Sequence, residues 1–392
     1  MATQVKVHGM DGALVEPDWA PLAMGEVHAL LSQYPECGEP YEILSVSPRP
    51  FSAASVVSTA RGSVFIKRHH RTVRDEEGLL EEHRFLQHLY AHGAPVPRVL
   101  ADISGQTAIA HGEWTYEVHE TPSGVDLYSN AVSWTPFYTC AHAYSAGRAL
   151  AQMHCAAAGF NAPPRKPRPL VASFTIFAQD NPSEALQQYL AARSALAQSR
   201  AVRAHAEEAL EILAPFHAEL QPLLPALTPL WTHNDLHASN LLWSGVGDNA
   251  QAATIIDFGL ADRANAVHDL AHAIERNIVE WLVLVEDPTR PELVPVHVDH
   301  LRALLNGYES VRPLSVEEVA ALAPMAALCH AEFALSETDY FLGVLHSENK
   351  AAMAHDGWLV GHSRWFRSSA GARLLTELRQ WSIQRESARV EA

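Results

Sequence analysis

The feature that most constrains the fold is the separation of strand-type and helix-type patterns along the chain. Between residues 41 and 119, short runs rich in Val, Ile, Ser and Thr alternate with turn residues, and one amphipathic segment interrupts them. This order predicts an antiparallel sheet of five strands with one helix after the third strand. Later residues show mainly helical periodicity. The predicted strands are 41–48, 53–60, 63–68, 107–111 and 114–119, and the predicted helices are 25–34, 75–93, 138–158, 183–219, 265–286, 297–308, 315–346 and 371–386.

The length of the chain supports a division into two lobes. A chain of 392 residues is too long for one compact core. We therefore predict an α+β fold with an N-terminal lobe at 1–119 and a mainly helical lobe at 120–392. Two-residue turns are predicted at Arg61-Gly62 and Gly112-Glu113, between strands of the first lobe.

Charge and cysteine spacing exclude several classes of protein. The formal net charge is -17, so the basic footprint of a nucleic-acid-binding protein is missing. The four cysteines lie far apart without C-x-x-C spacing, which fits a reducing compartment, and we expect a cytoplasmic protein. Uninterrupted apolar runs fall well short of the roughly 20 residues of a membrane helix, so no membrane association is expected. The sequence does not predict an oligomeric state.

The stretch "THNDLHASNLLW", Thr232 to Trp243, concentrates polar side chains beside an apolar run. The runs "NLLW" and "ATIIDFG" are separated by a turn rich in Gly, Asn and Asp, which predicts a hairpin. That hairpin would bring Asp235, Asn240 and Asp257 to one edge. Their oxygen-rich ligand set suits Mg²⁺ better than zinc.

The spacing of these residues matches motifs of phosphoryl transfer. His233–Asn240 fits H-R-D-L-x-x-x-N except for Asn234, and Asp257–Gly259 is D-F-G. Lys67 ends "VFIK" on the predicted third strand, where a lysine can pair with nucleotide phosphates and with an acid on the next helix. Glu82 is the best match for that acid, because it shares the inward face of its helix.

Together these motifs resemble those of the aminoglycoside phosphotransferase and choline kinase superfamily. The resemblance covers roughly residues 41–275 and rests on "FIK", "EEHRFLQHLYAHGAPVPRVL", "GRALAQMH", "HNDLHASNLLW", "IIDFG" and "VHDLA". It implies a bilobal, protein-kinase-like fold and an ATP-dependent, Mg²⁺-dependent kinase. The acceptor would be a small molecule with a hydroxyl group, such as an aminoglycoside, an amino alcohol or a sugar. The tripeptide Ala-Pro-Glu of protein kinases is absent from the chain, which leaves little room for a peptide substrate.

The resemblance also implies a role for each matching residue. Asp235 would be the catalytic base, and Asn240 and Asp257 the Mg²⁺ ligands. Lys67 and Glu82 would form the ion pair that positions the nucleotide phosphates.

Further residues would support the loop or bind the nucleotide. The resemblance makes Asp269 the acid that supports the catalytic loop, and we expect His233 to be a buried anchor of the same loop. His119 and Glu120 fall at the hinge between the lobes, where backbone groups would read adenine. Ser52 lies in the phosphate-covering turn and would contact a phosphate.

Residues on the acceptor side are predicted from the same resemblance. Glu332, Glu337 and Asp339 lie on a helix where the family places acids that bind the acceptor. Glu332 and Asp339 are seven residues apart and share a face of the helix. His237 is predicted either to anchor the loop or to face the acceptor.

Two other functions remain open from the residues alone. His233 and His237 have the i, i+4 spacing of a zinc pair, and with Asp235 they would suit a metal-dependent hydrolase. The second alternative is a catalytically silent, nucleotide-binding pseudokinase.

Overall fold

The predicted five-stranded sheet and its inserted helix are confirmed. The structure, a computed structural model, describes residues 7–8, 14–47, 49 and 51–391. The strands are β1 (Val7–His8), β2 (Leu14–Val15), β3 (Pro40–Val46), β4 (Ala53–Thr59), β5 (Gly62–His70), β6 (Ile109–His111), β7 (Trp114–Glu120), β8 (Pro229–Thr232), β9 (Leu241–Ser244), β10 (Gln251–Ile255) and β11 (Asp262–Asn265). The main sheet is antiparallel and has the order β3-β4-β5-β7-β6.

The rest of the chain is mainly helical, as predicted. The helices are α1 (Met24–Leu31), α2 (Glu76–Ala91), α3 (Cys140–Ala157), α4 (Pro182–Ala191), α5 (Ser194–Gln198), α6 (Arg200–Leu220), α7 (Ala266–Ile278), α8 (Trp281–Glu286), α9 (Val298–Glu309), α10 (Val316–Leu328), α11 (His330–Gly343), α12 (Glu348–Ala352), α13 (His362–Phe366) and α14 (Ser369–Glu391). A π-helical segment, Met353–Gly361, joins α12 to α13. Three helices that were predicted as continuous are divided: 183–219 into α4, α5 and α6, 265–286 into α7 and α8, and 315–346 into α10 and α11.

The turns of the main sheet largely follow the sequence pattern. His111 pairs with Trp114, which confirms the turn at Gly112-Glu113. The other turn is displaced by one residue, because Thr59 pairs with Gly62 and the turn residues are Ala60 and Arg61.

Two short strand pairs position the polar stretch of the helical lobe. The predicted hairpin is formed by β9 and β10, with Leu241 opposite Ile255. The pair β8–β11, which the sequence pattern did not predict, sets Thr232 opposite Asp262. The loop between β8 and β9 is therefore held at both ends, and it lies beside the start of α7.

Helices α3 and α9 approach so closely that only glycine fits at the contact. A Cβ atom at Gly147 would lie 2.0 Å from the backbone oxygen of Leu304, and one at Gly307 would lie 2.0 Å from that of Tyr144. Such distances leave no space for a side chain. This contact fixes α3, which carries a residue of the site described below.

The hydrophobic core has two main parts. One packs α1 against the sheet through residues such as Val27, Val57 and Val118, and the larger one fills the helical region. The segment Val316–Gly343 has the length and apolar composition of a membrane-spanning helix, but 94% of its most apolar 18-residue stretch is buried inside the protein. Burial of this extent is typical of core helices.

Candidate active site

Asp269, in the first turn of α7, holds the backbone of the loop between β8 and β9. Its carboxylate oxygens accept the N–H groups of His233 and Asn234, each at 2.8 Å. His154 on α3 lies 2.9 Å from the same carboxylate through Nε2. Burial raises the pKa of Asp269, but these hydrogen bonds and the nearby imidazoles outweigh burial and leave the pKa below its ordinary value. The structure thus places Asp269 against the loop that it is predicted to support.

Asn234 has a left-handed backbone, with a φ of 64°. Asparagine tolerates this region better than most other residues with a side chain. Its buried amide accepts a hydrogen bond from the hydroxyl of Thr232 at 2.7 Å and donates one to the backbone oxygen of Leu260 at 3.2 Å. These contacts fix the turn that leads into Asp235, so the loop accommodates Asn234 in place of the arginine of the motif.

His233 is buried and anchors the loop through both of its ring nitrogens. Nδ1 accepts the N–H of Asp235 at 3.1 Å, and Nε2 lies 2.9 Å from the backbone oxygen of Ile256, to which it donates. Neither nitrogen is therefore free to bind a metal. This arrangement disfavours the predicted alternative of a hydrolase that uses His233, His237 and Asp235 as zinc ligands.

Asp235, Asn240 and Asp257 come together as the hairpin predicts. The amide of Asn240 donates to the backbone oxygen of Asp235 at 2.9 Å and lies 3.3 Å from its Oδ2 atom. The N–H of Ile256 donates to the backbone oxygen of Asn240 at 2.9 Å, which ties the loop to the residue before Asp257. Asp257 also has a left-handed backbone, with a φ of 61°.

Two cavities meet at these residues. The large cavity, of about 410 Å³, is lined mainly from the sheet, and the small cavity, of about 130 Å³, is lined mainly from the helical lobe. Lys67, Asn240 and Asp257 line both cavities, whereas Asp235 lines only the small one. A group bound in the large cavity and a group bound in the small cavity would therefore face each other across Asn240 and Asp257.

The predicted ion pair between Lys67 and Glu82 is wrong. Lys67 Nζ lies 2.8 Å from Asp257 Oδ1, and the Glu82 carboxylate lies 3.9 Å from the guanidinium of Arg165. Burial lowers the pKa of Lys67, but the negative charges of Asp257, Glu117 and Glu82 outweigh burial and raise it. Glu82 thus acts on Lys67 through the electrostatic field rather than through contact, and it still lines the large cavity.

The turn before β4 lies over the junction of the cavities. Ser52 lines both cavities, while Pro50, which belongs to the predicted phosphate-covering turn, lies outside the described residues. Phe51 packs against Tyr340 of α11, with ring centroids 5.3 Å apart. Arg49 also lines both cavities, and its buried Nη2 atom has no partner among the described residues. The sequence pattern did not identify Arg49.

The end of β7 contributes only part of the predicted hinge. His119, Thr121 and Pro122 line the large cavity. Glu120 does not line it, because its side chain is half-exposed and pairs with Arg98 at 2.8 Å, and its N–H donates to the backbone oxygen of the same arginine. The predicted contact of Glu120 with the nucleotide is therefore not supported.

Of the acids predicted on α11, only Glu337 lines a cavity. Glu332 is buried, and its carboxylate accepts the N–H groups of Thr175 and Ile176, the latter at 2.6 Å. Asp339 lies 3.9 Å from the guanidinium of Arg193. The predicted acceptor contacts of Glu332 and Asp339 are thus wrong, because both side chains fix neighbouring segments of the helical lobe.

The small cavity is lined by His237 and Glu337, with Trp134 and Phe333 as aromatic walls. His237 Nδ1 lies 2.8 Å from the hydroxyl of Ser239, and burial lowers the pKa of His237 well below its ordinary value. Burial also raises the pKa of Glu337 well above its ordinary value, and its Oε2 atom has no hydrogen-bond partner within the described part of the chain. A buried carboxylate without a partner is unusual and points to a ligand.

Arg276 on α7 is a further residue of the site that the sequence pattern did not reveal. Its Nε atom donates to Asp235 Oδ1 at 2.6 Å, and its Nη1 atom donates to Glu275 Oε2 at 2.7 Å. The guanidinium lies 4.2 Å from the ring centroid of Phe333. Arg276 follows Asp269 by seven residues, so both side chains face the loop from one side of α7. This spacing is the sequence signal from which Arg276 could have been predicted.

The fold and the site together define a kinase-like phosphotransferase. Its acid, Asp235, and two residues with oxygen ligands, Asn240 and Asp257, lie between the sheet and the helical lobe. The model of the phosphotransferase enzyme family, APH, matches residues 51–314, which is more than half of the chain. The chain belongs to this family, whose members transfer phosphoryl groups to hydroxyl groups. A comparison with curated protein sequences gives no match.

Several solved structures share this fold. The microcompartment-associated aminopropanol kinase aligns with a TM-score of 0.56 and 16% identity, over 89% of this chain and 99% of that chain. An aminoglycoside phosphotransferase from Alicyclobacillus acidocaldarius subsp. acidocaldarius DSM 446 gives a TM-score of 0.51 and 18% identity, over 93% and 98%. The amicoumacin kinase hAmiN, in complex with AMP-PNP, Ca²⁺ and Ami, gives 0.53 and 14%, over 84% and 89%. At these identities the likeness shows the shared fold alone.

Proposed function

We propose that the protein transfers the γ-phosphoryl group of ATP to a hydroxyl of a small acceptor that carries a cationic amine, such as an amino alcohol or an aminoglycoside. The observation that carries this proposal is the meeting of the two cavities at Lys67, Asn240 and Asp257, with Asp235 on one side only. In-line transfer needs a donor and an acceptor that face each other across a cation site.

The donor would bind in the large cavity. Lys67, held by Asp257 in this structure, would contact phosphate oxygens, and Arg49 offers its unpartnered Nη2 atom to the same group. Asn240 and Asp257 supply an amide and a carboxylate oxygen, and such hard oxygen donors fit Mg²⁺. Bound there, Mg²⁺ would neutralise charge on the transferring group.

The acceptor would bind in the small cavity beside Asp235. Arg276 holds one oxygen of this carboxylate and thereby fixes its orientation. Burial raises the pKa of Asp235, and Arg276 opposes that rise. Asp235 is thus a carboxylate that can orient the acceptor hydroxyl and accept its proton.

An amine on the acceptor accounts for Glu337. The unpartnered Glu337 oxygen lies in the same cavity as the rings of Trp134 and Phe333. A carboxylate and aromatic faces together attract an ammonium group. The hydroxyl groups of a neutral sugar could donate hydrogen bonds to this carboxylate but would leave its charge uncompensated.

The direct test is ATP consumption with Mg²⁺ and a panel of acceptors. The panel contains amino alcohols, aminoglycosides and hexoses without an amine, and Asp235→Asn serves as the inactive control. We expect turnover with amine-bearing members. Turnover with hexoses alone would contradict the proposed acceptor class, and ATP binding without any turnover would favour the pseudokinase alternative.

Replacing Glu337 by Gln is expected to raise the KM of an amine-bearing acceptor by about 10- to 100-fold with a small change in kcat. The variant replaces an acid whose raised pKa an ammonium group would lower on binding, and it keeps the shape of the side chain. It should not lower the melting temperature, because the unpartnered buried carboxylate itself opposes folding. Asp339→Asn, on the same helix but outside the cavities, is the matched control. Equal KM values for the two variants would contradict the role of Glu337.

Replacing Arg276 by Met is expected to shift the pH profile of kcat upward by about 1–3 units. Without the guanidinium, the main opposition to burial is lost and the pKa of Asp235 rises, so a larger share of this acid is protonated at neutral pH. Turnover should fall at neutral pH and recover as the pH rises. Arg276→Lys keeps the charge and should shift the profile less. An unmoved profile in the Met variant would argue against this positioning role.

A further inference from the structure

Three imidazoles surround one buried carboxylate in the sheet, at the edge of the large cavity that Glu117 and His119 line. Glu117 Oε2 lies 2.8 Å from His119 Nε2 and 2.9 Å from His83 Nε2, and Oε1 lies 2.9 Å from His69 Nε2. Each of these side chains is at most 7% exposed. We call these four residues the histidine cluster.

The positions of the four residues follow from strand and helix geometry. Glu117 and His119 are two residues apart on β7, so their side chains lie on the same face of the sheet. His69 lies on the neighbouring strand β5, and His83 on α2 covers this face. The cross-strand partner of Glu117 is Lys67.

We propose that the histidine cluster binds a zinc ion, with His83, His119 and Glu117 as ligands. Their ligand atoms all lie within 4.8 Å of one another. Two imidazoles and one carboxylate are a ligand set that zinc prefers, whereas the oxygen ligands Asn240 and Asp257 suit magnesium. Within the described ranges, no other three His, Cys, Asp or Glu side chains meet this distance criterion.

Contacts around the ligands agree with a metal. The Nδ1 atom of His83 lies 2.9 Å from the hydroxyl of Thr107, and a contact of this kind orients the ring of a metal-binding histidine.

His69 Nε2 lies 2.9 Å from the second oxygen of Glu117. It is not part of the three-ligand group, and in this proposal it moves toward the metal to complete a fourfold coordination. A zinc ion here would fix the residue opposite Lys67 and would be structural rather than catalytic.

The test is metal binding by the full chain, with Co²⁺ and Zn²⁺ alone as probes. After treatment with a chelator, we expect one equivalent of Co²⁺ to give the strong visible absorption of fourfold coordination. Zn²⁺ should displace it, and an excess of Mg²⁺ should not. His83→Gln and His119→Gln should each weaken binding by about 100-fold or more. His111→Gln, at an exposed position on β6, is the matched control and should bind as the wild type does.

Protein stability provides an independent readout. Zn²⁺ should raise the melting temperature of the wild type and of His111→Gln, because a ligand of the native state stabilises it, but not that of the two cluster variants. Circular dichroism separates a loss of zinc from a loss of fold in each variant. Wild-type protein whose melting temperature does not rise with Zn²⁺, or Co²⁺ binding that Mg²⁺ displaces, would overturn the proposal. Neither result would bear on the proposed phosphotransfer.

Discussion

Replacing Asp235 by Asn is expected to lower kcat by about 10²- to 10⁴-fold, the range that a positioned general base contributes, while nucleotide binding is retained. Asparagine keeps the size of the side chain and can still accept the hydrogen bond from Arg276. It cannot take a proton from the acceptor. Asp235 does not line the large cavity, so the nucleotide should bind as before.

The measurement pairs steady-state turnover with nucleotide binding by calorimetry. Asp248→Asn, at an exposed position in the turn between β9 and β10, is the matched control and should behave as the wild type does. An Asp235→Asn variant with kcat within about tenfold of the wild type would contradict the role of Asp235 as the base.

Replacing Asp269 by Ala is expected to cost about 3 kcal/mol or more of unfolding free energy. The change leaves the N–H groups of His233 and Asn234, and Nε2 of His154, without their acceptor. Each buried donor that loses its partner costs about 1–3 kcal/mol. Turnover should also be lost, because the same bonds hold the loop that carries Asp235.

The unfolding free energy that Asp269 contributes should depend on pH, and this dependence distinguishes its loss in Asp269→Ala from a general loss of packing. The pKa of Asp269 is lowered in the folded protein, so its stabilisation is fully present above its unfolded pKa of about 3.9. It is lost as the pH falls through the folded pKa. The difference in unfolding free energy between the wild type and Asp269→Ala should thus be largest at neutral pH and should begin to decrease below about pH 4. Asp299→Ala, whose side chain is exposed on α9, is the control.

The main sheet could be predicted because its signals are local. The alternation of side chains and the turn at Gly112 specify strands and connections within short stretches of sequence. The helical lobe was harder to divide, because 183–219 is helix-forming throughout. Its breaks lie at residues whose signal is small: at Ala192 and Arg193, between α4 and α5, and at Ser199, whose side chain caps α6.

The contacts of the site depended on tertiary structure. Helical periodicity correctly placed Glu332 and Asp339 on one face of α11 but could not show that this face packs against the rest of the helical lobe. Glu337 lies five residues after Glu332, on a different face, and that face borders the cavity. Likewise, the motif identified Lys67, but the local sequence could not show that its ion-pair partner is Asp257 rather than Glu82.

The ion pair between Lys67 and Asp257 has a consequence for how the nucleotide and the divalent cation affect each other's binding. In the proposed reaction the phosphates need the ammonium group of Lys67, and the divalent cation needs the carboxylate of Asp257. The two groups neutralise each other at 2.8 Å before either ligand arrives. A nucleotide alone, or a cation alone, must separate the pair and leaves one of the two charges without a partner. The two together compensate both charges, so each should increase the affinity of the protein for the other by the same factor.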